Sequence, residues 1–208
     1  MALAFAGPLS RWYTRAGGDA ARVRDGIVAW RDDLRAAVAP KVAADLHWDE
    51  AAPVAATADL GDSGWLALRL LALLADRSDL DWPDTVPPLL ELLPEWRAAA
   101  EAKFATSRYG QVLACEMWLP GDFPVTFRVP APDGANVEIG AVGVLADQLR
   151  WLNQRTFQAP ADELVAWAAL PAPPGGAFVP AAQRGLAALT RVVTAAVATG
   201  LPVALQPA

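Results

Sequence analysis

Hydrophobic positions recur at helical spacing over most of the chain. From Asp19 to Val38 the apolar residues Ala20, Val23, Ile27, Trp30, Leu34 and Val38 step by three and four, which predicts a helix with one buried stripe. Asp19, Arg22, Asp25, Asp32 and Arg35 fall on its solvated side, and Pro40 is expected to end it. Residues 49–62 hold Pro53 and Gly61 without a clean period and read as loop. The next helix, Gly64 to Arg77, carries Trp65, Leu66, Leu68, Leu70, Leu71, Leu73 and Leu74 on most of its sides, so it should be central, with Arg69 as its one interior charge. A polar link from 78 to 85 leads to Pro87-Pro88 and a helical pattern through Leu89, Leu90, Leu92, Leu93, Trp96 and Phe104, which Pro94 should kink or divide.

At Gln111 the period changes. Gln111–Leu119 and Phe123–Val129 read as extended runs joined by Pro120-Gly121-Asp122, and Val137–Ile139 follows Pro132-Asp133-Gly134, which predicts a three-stranded meander. Leu113, Cys115, Met117 and Leu119 form an apolar face of the first strand, and Phe123, Val125, Phe127 and Val129 one of the second. A three-residue turn sets Met117 opposite Val125 and Cys115 opposite Phe127. The other face then carries Glu116, Trp118, Thr126, Arg128, Asn136 and Glu138.

Three helices complete the pattern: Val144 to Thr156, Ala159 to Leu170 with Asp162 and Glu163 in its first turn, and a last one opened by Pro180 and closed by Gly200. The stretch from Pro171 to Gly176 is the best hinge candidate, and Leu201–Leu205 could add a fourth strand. Helices, then strands, then helices imply an α+β fold. Its small antiparallel sheet of three to four strands, about 111–140 and possibly 201–205, would pack with N-terminal and C-terminal helices. The 208 residues fit a single domain, 1–208, with a possible division into a helical part, 1–107, and an α+β part, 108–208.

Composition narrows the function classes. The chain is 54% hydrophobic with a net charge of −6, enough apolar surface for a core and no basic cluster for phosphates, so nucleic-acid binding is not expected. No apolar run has membrane-spanning character, and no leader is recognisable at the N-terminus. One cysteine, Cys115, excludes an internal disulfide and suits a reducing compartment, so the expected location is cytoplasmic. Abundant alanine and arginine with only Lys41 and Lys103 as lysines suits a GC-rich, bacterial genome. Nine tryptophans are many for this length, and filling gaps between helices is the expected role of most.

Motifs for chemistry are sparse. Gly61-Asp62-Ser63-Gly64 resembles the four residues around the nucleophile of trypsin-like serine proteases and the start of the GDS-type esterase signature. Trp65 stands where the first needs glycine. The second requires a histidine near the C-terminus, and the sole histidine is His47. Ser63 or Asp62 is instead read as a helix cap. His47-Trp48-Asp49-Glu50 offers an imidazole and two carboxylates but no metal-site spacing, and is read as a solvated turn. Cys115, on an apolar face, is read as structural. Gly17-Gly18 and Gly175-Gly176 lack the strand and lysine of a phosphate loop, and no cofactor is expected.

The mixed face therefore carries the candidate site: Glu116, Trp118, Thr126, Arg128, Asn136 and Glu138. The expected function is a non-enzymatic module binding a protein partner or a small polar ligand. The alternatives are a hydrolase-like enzyme using Glu116, Arg128 and Glu138 as carboxylate and arginine machinery, and a homo-oligomeric structural protein with tryptophans at its interface.

Overall fold

The computed structural model describes residues 2–14, 19–38, 42, 46–77, 79–171, 173 and 176–206. Pro40, Gly17-Gly18 and residues 172, 174 and 175 of the expected hinge lie outside them. The elements run β1 (Leu3–Ala6), α1 (Leu9–Thr14), α2 (Ala20–Val38), β2 (Ala56–Asp59), α3 (Gly61–Ala75), a 3-10 turn (Leu90–Leu92), α4 (Pro94–Glu101), α5 (Gly110–Ala114), β3 (Met117–Leu119), β4 (Phe127–Pro130), β5 (Asn136–Ala141), α6 (Val142–Arg155), α7 (Ala161–Ala169), α8 (Phe178–Thr199) and β6 (Val203–Gln206).

The fold is mixed α and β: eight α-helices and one six-stranded sheet among the described residues, in the order β2-β1-β6-β3-β5-β4. The expected sheet was too small and too uniform. β3 and β5 are parallel, with Met117 beside Ile139, while the other neighbours are antiparallel. β3 and β4 do not form a hairpin, because β5 lies between them. Met117 therefore pairs with Ile139 and Ala204, not with Val125. The reason is burial: all three residues of β3 are buried, and pairing on both edges satisfies its backbone away from water.

Residues 110–114 are helical, contrary to the extended reading. The Gln148 side-chain oxygen accepts the backbone N–H of Gln111 and Val112 (both 3.1 Å) and so supplies the N-terminal cap of α5 from another helix. The turn sends Leu113 and Cys115 into a core cluster with Trp118, while Met117 and Leu119 enter the cluster on the opposite side of the sheet. The four residues do not share one face.

β1 and β2 were not expected. Ala4, Ala6 and Ala58 lie in the first cluster, and alanine carries little strand signal. Their small side chains let α8 lie against this part of the sheet. The C-terminal strand sits between β1 and β3, inside the sheet.

Helices cover both faces. Side chains of α3, α5, α6 and α8 form the first cluster with Ala4, Ala6, Trp118, Val203 and Leu205. Leu9 of α1 and Ile27, Leu34 and Val38 of α2 form the second with Met117, Leu119, Val137 and Ile139. Of the α2 stripe Ile27, Leu34 and Val38 are buried and Val23 and Trp30 half-buried, while Ala20 is exposed; α3 is buried on most sides. α3 begins at Gly61, so Ser63 lies within its first turn and is not a cap; the Asp59 side chain accepts the Gly61 N–H at 2.7 Å. Pro94 opens α4, dividing the 89–105 pattern into a 3-10 turn and a helix. No helix among the described residues is long and apolar enough to cross a membrane.

α3 and α8 approach closely at Gly64 and Gly185. A Cβ on Gly185 would collide with the Gly64 carbonyl, whereas one on Gly26, exposed in α2, would meet nothing within 4 Å. Gly185→Ala is expected to destabilise the protein by about 1–3 kcal/mol through overpacking. Gly26→Ala should stabilise it by about 0.5–1 kcal/mol through helix propensity. The urea midpoints of the two variants should move in opposite directions.

Candidate functional site

The register of β3, β5 and β4 sets three charged residues in one row. Arg128 stands opposite Glu138, and the parallel pairing continues backwards from Met117–Ile139 so that the Glu116 N–H donates to the Glu138 carbonyl at 3.2 Å. The Glu116 carbonyl in turn accepts the Leu205 N–H at 2.8 Å. Val137, Ile139 and Met117 enter the second cluster, so alternation directs Glu116, Glu138 and Arg128 to the other face. Helices do not cover this end of it: Glu116 and Arg128 are exposed and Glu138 half-buried. No ion pair joins Arg128 to either glutamate among the described residues.

The other candidates separate. Trp118, one step along the same face, is 0% exposed, so it is core and no part of an open floor; its indole N–H finds no hydrogen-bond partner. Thr126 is exposed just before β4, and Asn136 is exposed at the start of β5.

Two depressions flank the row. The first, a cleft of about 510 Å³, opens where β3 and β5 begin and β6 ends. Trp12 and Tyr13 of α1 form one wall, Asp133, Asn136 and Gln206 supply polar groups over a floor that includes Met117, Val137, Ala204 and Leu205, and Glu116 lies at the rim, its side chain directed to the other face. Among the described residues no lysine or arginine lines it. Asp133 is held in the β4–β5 turn, where its Oδ1 accepts the Ala135 N–H at 3.0 Å and Gly134 takes a positive φ of 84°. Burial pushes the Tyr13 phenol well above its ordinary range, and the Asp133 carboxylate pushes it further. Trp12 packs on Phe5 with ring centroids 5.4 Å apart.

The second is an open groove of about 620 Å³ between α3, α4 and β4, lined by Arg69, Glu91, Trp96, Arg97, Ala100, Glu101, Phe104 and Arg128. The Arg69 guanidinium lies over the rings of Trp65 (5.4 Å) and Trp96 (4.6 Å), and its Nε and Nη2 both donate to the Leu113 carbonyl. Burial lowers its pKa, while the charges of Glu116 and Glu91 act in the opposite direction. Thus Glu116 lies at the rim of the cleft, Arg128 lines the groove, and the two are not brought into one cavity.

The remaining motifs have structural roles. Glu50, 7% exposed, accepts the N–H groups of Leu9 (3.1 Å) and Ser10 (3.0 Å) and the Trp48 indole N–H, so it caps α1 and is not in a solvated turn. His47 and Asp49 are exposed. No group of three or more His, Cys, Asp or Glu among the described residues could hold a metal ion. Cys115 is buried, and burial, with Glu138 and Glu116 nearby, raises its thiol pKa away from reactivity.

Sequence reasoning missed Trp12, Tyr13, Asp133 and Gln206 in the cleft and Trp96 and Arg97 in the groove. Arg69 alone had left a signal, as a lone charge in an apolar helix. No family model, curated protein or solved structure matches the chain.

Both tyrosines of the chain, Tyr13 and Tyr109, have raised pKa values, chiefly from burial, so the fold favours the neutral phenol. Their contribution to stability is complete below the ordinary value of 10.0 and is lost as pH rises above it. A 295 nm titration should show less tyrosinate in the native protein at that pH than in the urea-unfolded chain. Asp133→Asn should bring the Tyr13 transition to lower pH.

Proposed function

We propose that this chain is a non-enzymatic binding module whose site is the cleft at the open end of the sheet, and that the cleft takes a cationic group, an amine or guanidinium. The observation that carries the reading is the lining: the Asp133 carboxylate, two amides, a phenol and an indole, without a lysine or arginine among the described residues. Such a wall offers hydrogen-bond acceptors to a cation, and the two aromatic rings offer it a further attractive surface. The net charge of −6 adds a long-range field of the same sign. The cation could belong to a small polar ligand or to a side chain of a protein partner.

The hydrolase-like alternative needs Glu116, Arg128 and Glu138 around one substrate. Glu116 lies at the rim of the cleft, Arg128 lines the groove and Glu138 lines neither, which favours binding over chemistry at that trio.

Titration calorimetry with agmatine, and with an acetylated, amidated arginine tripeptide, tests the reading and separates the two sources. At least one probe should bind the wild-type protein. Asp133→Asn should weaken it about tenfold, the loss of roughly one charge-assisted contact. Arg97→Ala, outside the cleft, should leave affinity unchanged. Absence of binding by both probes, or equal affinity in Asp133→Asn, would refute the assignment.

A further inference from the structure

We infer that the groove between α3, α4 and β4 is a second binding site, separate from the cleft, and that it receives an extended acidic peptide segment of a protein partner. Three guanidinium groups, Arg69, Arg97 and Arg128, line this one groove. They come from a buried helix, a short exposed helix and an edge strand, so only the tertiary fold brings them together.

Arg97 and Arg128 are exposed and form no ion pair among the described residues. Arg69 is partly buried; its Nε and Nη2 are committed to a backbone carbonyl, and Trp65 and Trp96 flank it, so its charge is fixed in place without a carboxylate ion pair. Arginine forks match carboxylates bidentately, and a guanidinium held rigid before binding loses little freedom on pairing.

The remaining lining selects among anions. Glu91 and Glu101 also face the groove, and Glu116 acts electrostatically on Arg69. These carboxylates oppose a dense polyanion such as a polyphosphate or a nucleic-acid backbone. They tolerate carboxylates spaced along a chain, each meeting an arginine while uncharged positions pass the glutamates. The groove is open rather than enclosed, and β4, whose Arg128 lines it, is the last strand of the sheet. An extended segment can lie there with its backbone along an unpaired strand edge.

The test is a ¹H–¹⁵N titration that follows the arginine Nε–Hε signals at low salt. The probe is an acetylated, amidated hexamer of alternating glutamate and alanine. A hexamer with glutamine in place of glutamate, and inorganic phosphate, serve as comparison arms. The expected result is saturable shifts of the Arg97 and Arg128 signals with the glutamate peptide, at least tenfold weaker with Arg97→Glu or Arg128→Glu and unchanged with Asp133→Asn. The glutamine peptide and phosphate should give no comparable shifts. No shift with the glutamate peptide, equal shifts with the glutamine peptide, or insensitivity to both charge reversals would overturn the proposal. Phosphate binding as tightly as the peptide would also overturn it, since the groove would then be a small-anion site. Asp133→Asn alters the cleft and not the groove, so failure here and failure of the cation reading are distinguishable.

Discussion

The insertion of β5 between β3 and β4 is the constraint on which the candidate sites depend. It makes β3 an interior strand, paired with β5 on one side and β6 on the other, and so requires its three residues to be buried. It also carries β4 to the edge of the sheet. In consequence Glu116, Glu138 and Arg128 lie across three adjacent strands at one end, while Trp118, next on the same face, lies under α5 and α6 with the first core cluster. A hairpin between β3 and β4 would have left that row with a different set of neighbours.

Coverage by the helices decides where the sheet remains open. α3 and α8 meet backbone to backbone at Gly64 and Gly185, and the alanines of β1 and β2 accept α8 at close range, so that side of the first face is sealed. Towards β4 the covering elements are short: α5 has five residues and α4 eight. Sealing therefore stops before Arg128, and the groove is what remains. On the opposite face α1 is capped by Glu50 from a distant segment, which fixes the helix that presents Trp12 and Tyr13 to the cleft. A buried carboxylate that receives three N–H donors is here a scaffold element serving a neighbouring site.

Legibility in the sequence followed the range of the interactions involved. The stripe of α2, the all-round apolar surface of α3, the proline that opens α4 and the glycine that closes α8 are local signals, and each corresponds to an observed feature. The alternation of Phe127 and Val129, and of Val137 and Ile139, was also readable. β1 and β2 were not, because alanine at Ala4, Ala6 and Ala58 has no strand preference and fits only through the helix above it. Val112 and Leu113 have a sequence that suits a strand, but the Gln148 cap turns them into a helix. The turn residues Pro120, Gly121 and Asp122 look alike whether the chain doubles back beside β3 or arches to the far edge. Of the site, Glu116, Arg128 and Asn136 were named from alternation alone. The groups that share their cavities come from α1, the β4–β5 turn, α3, α4 and β6, and no pattern within one segment could have joined them.

The most direct measurement of this account is the set of backbone nuclear Overhauser effects around Met117. Parallel insertion predicts contacts from Met117 to Ile139 and to Ala204, together with Arg128 to Glu138. Contacts from Met117 to Val125, with none to Ile139, would mean that β3 and β4 form a hairpin, and both cavities would lose the geometry assigned to them.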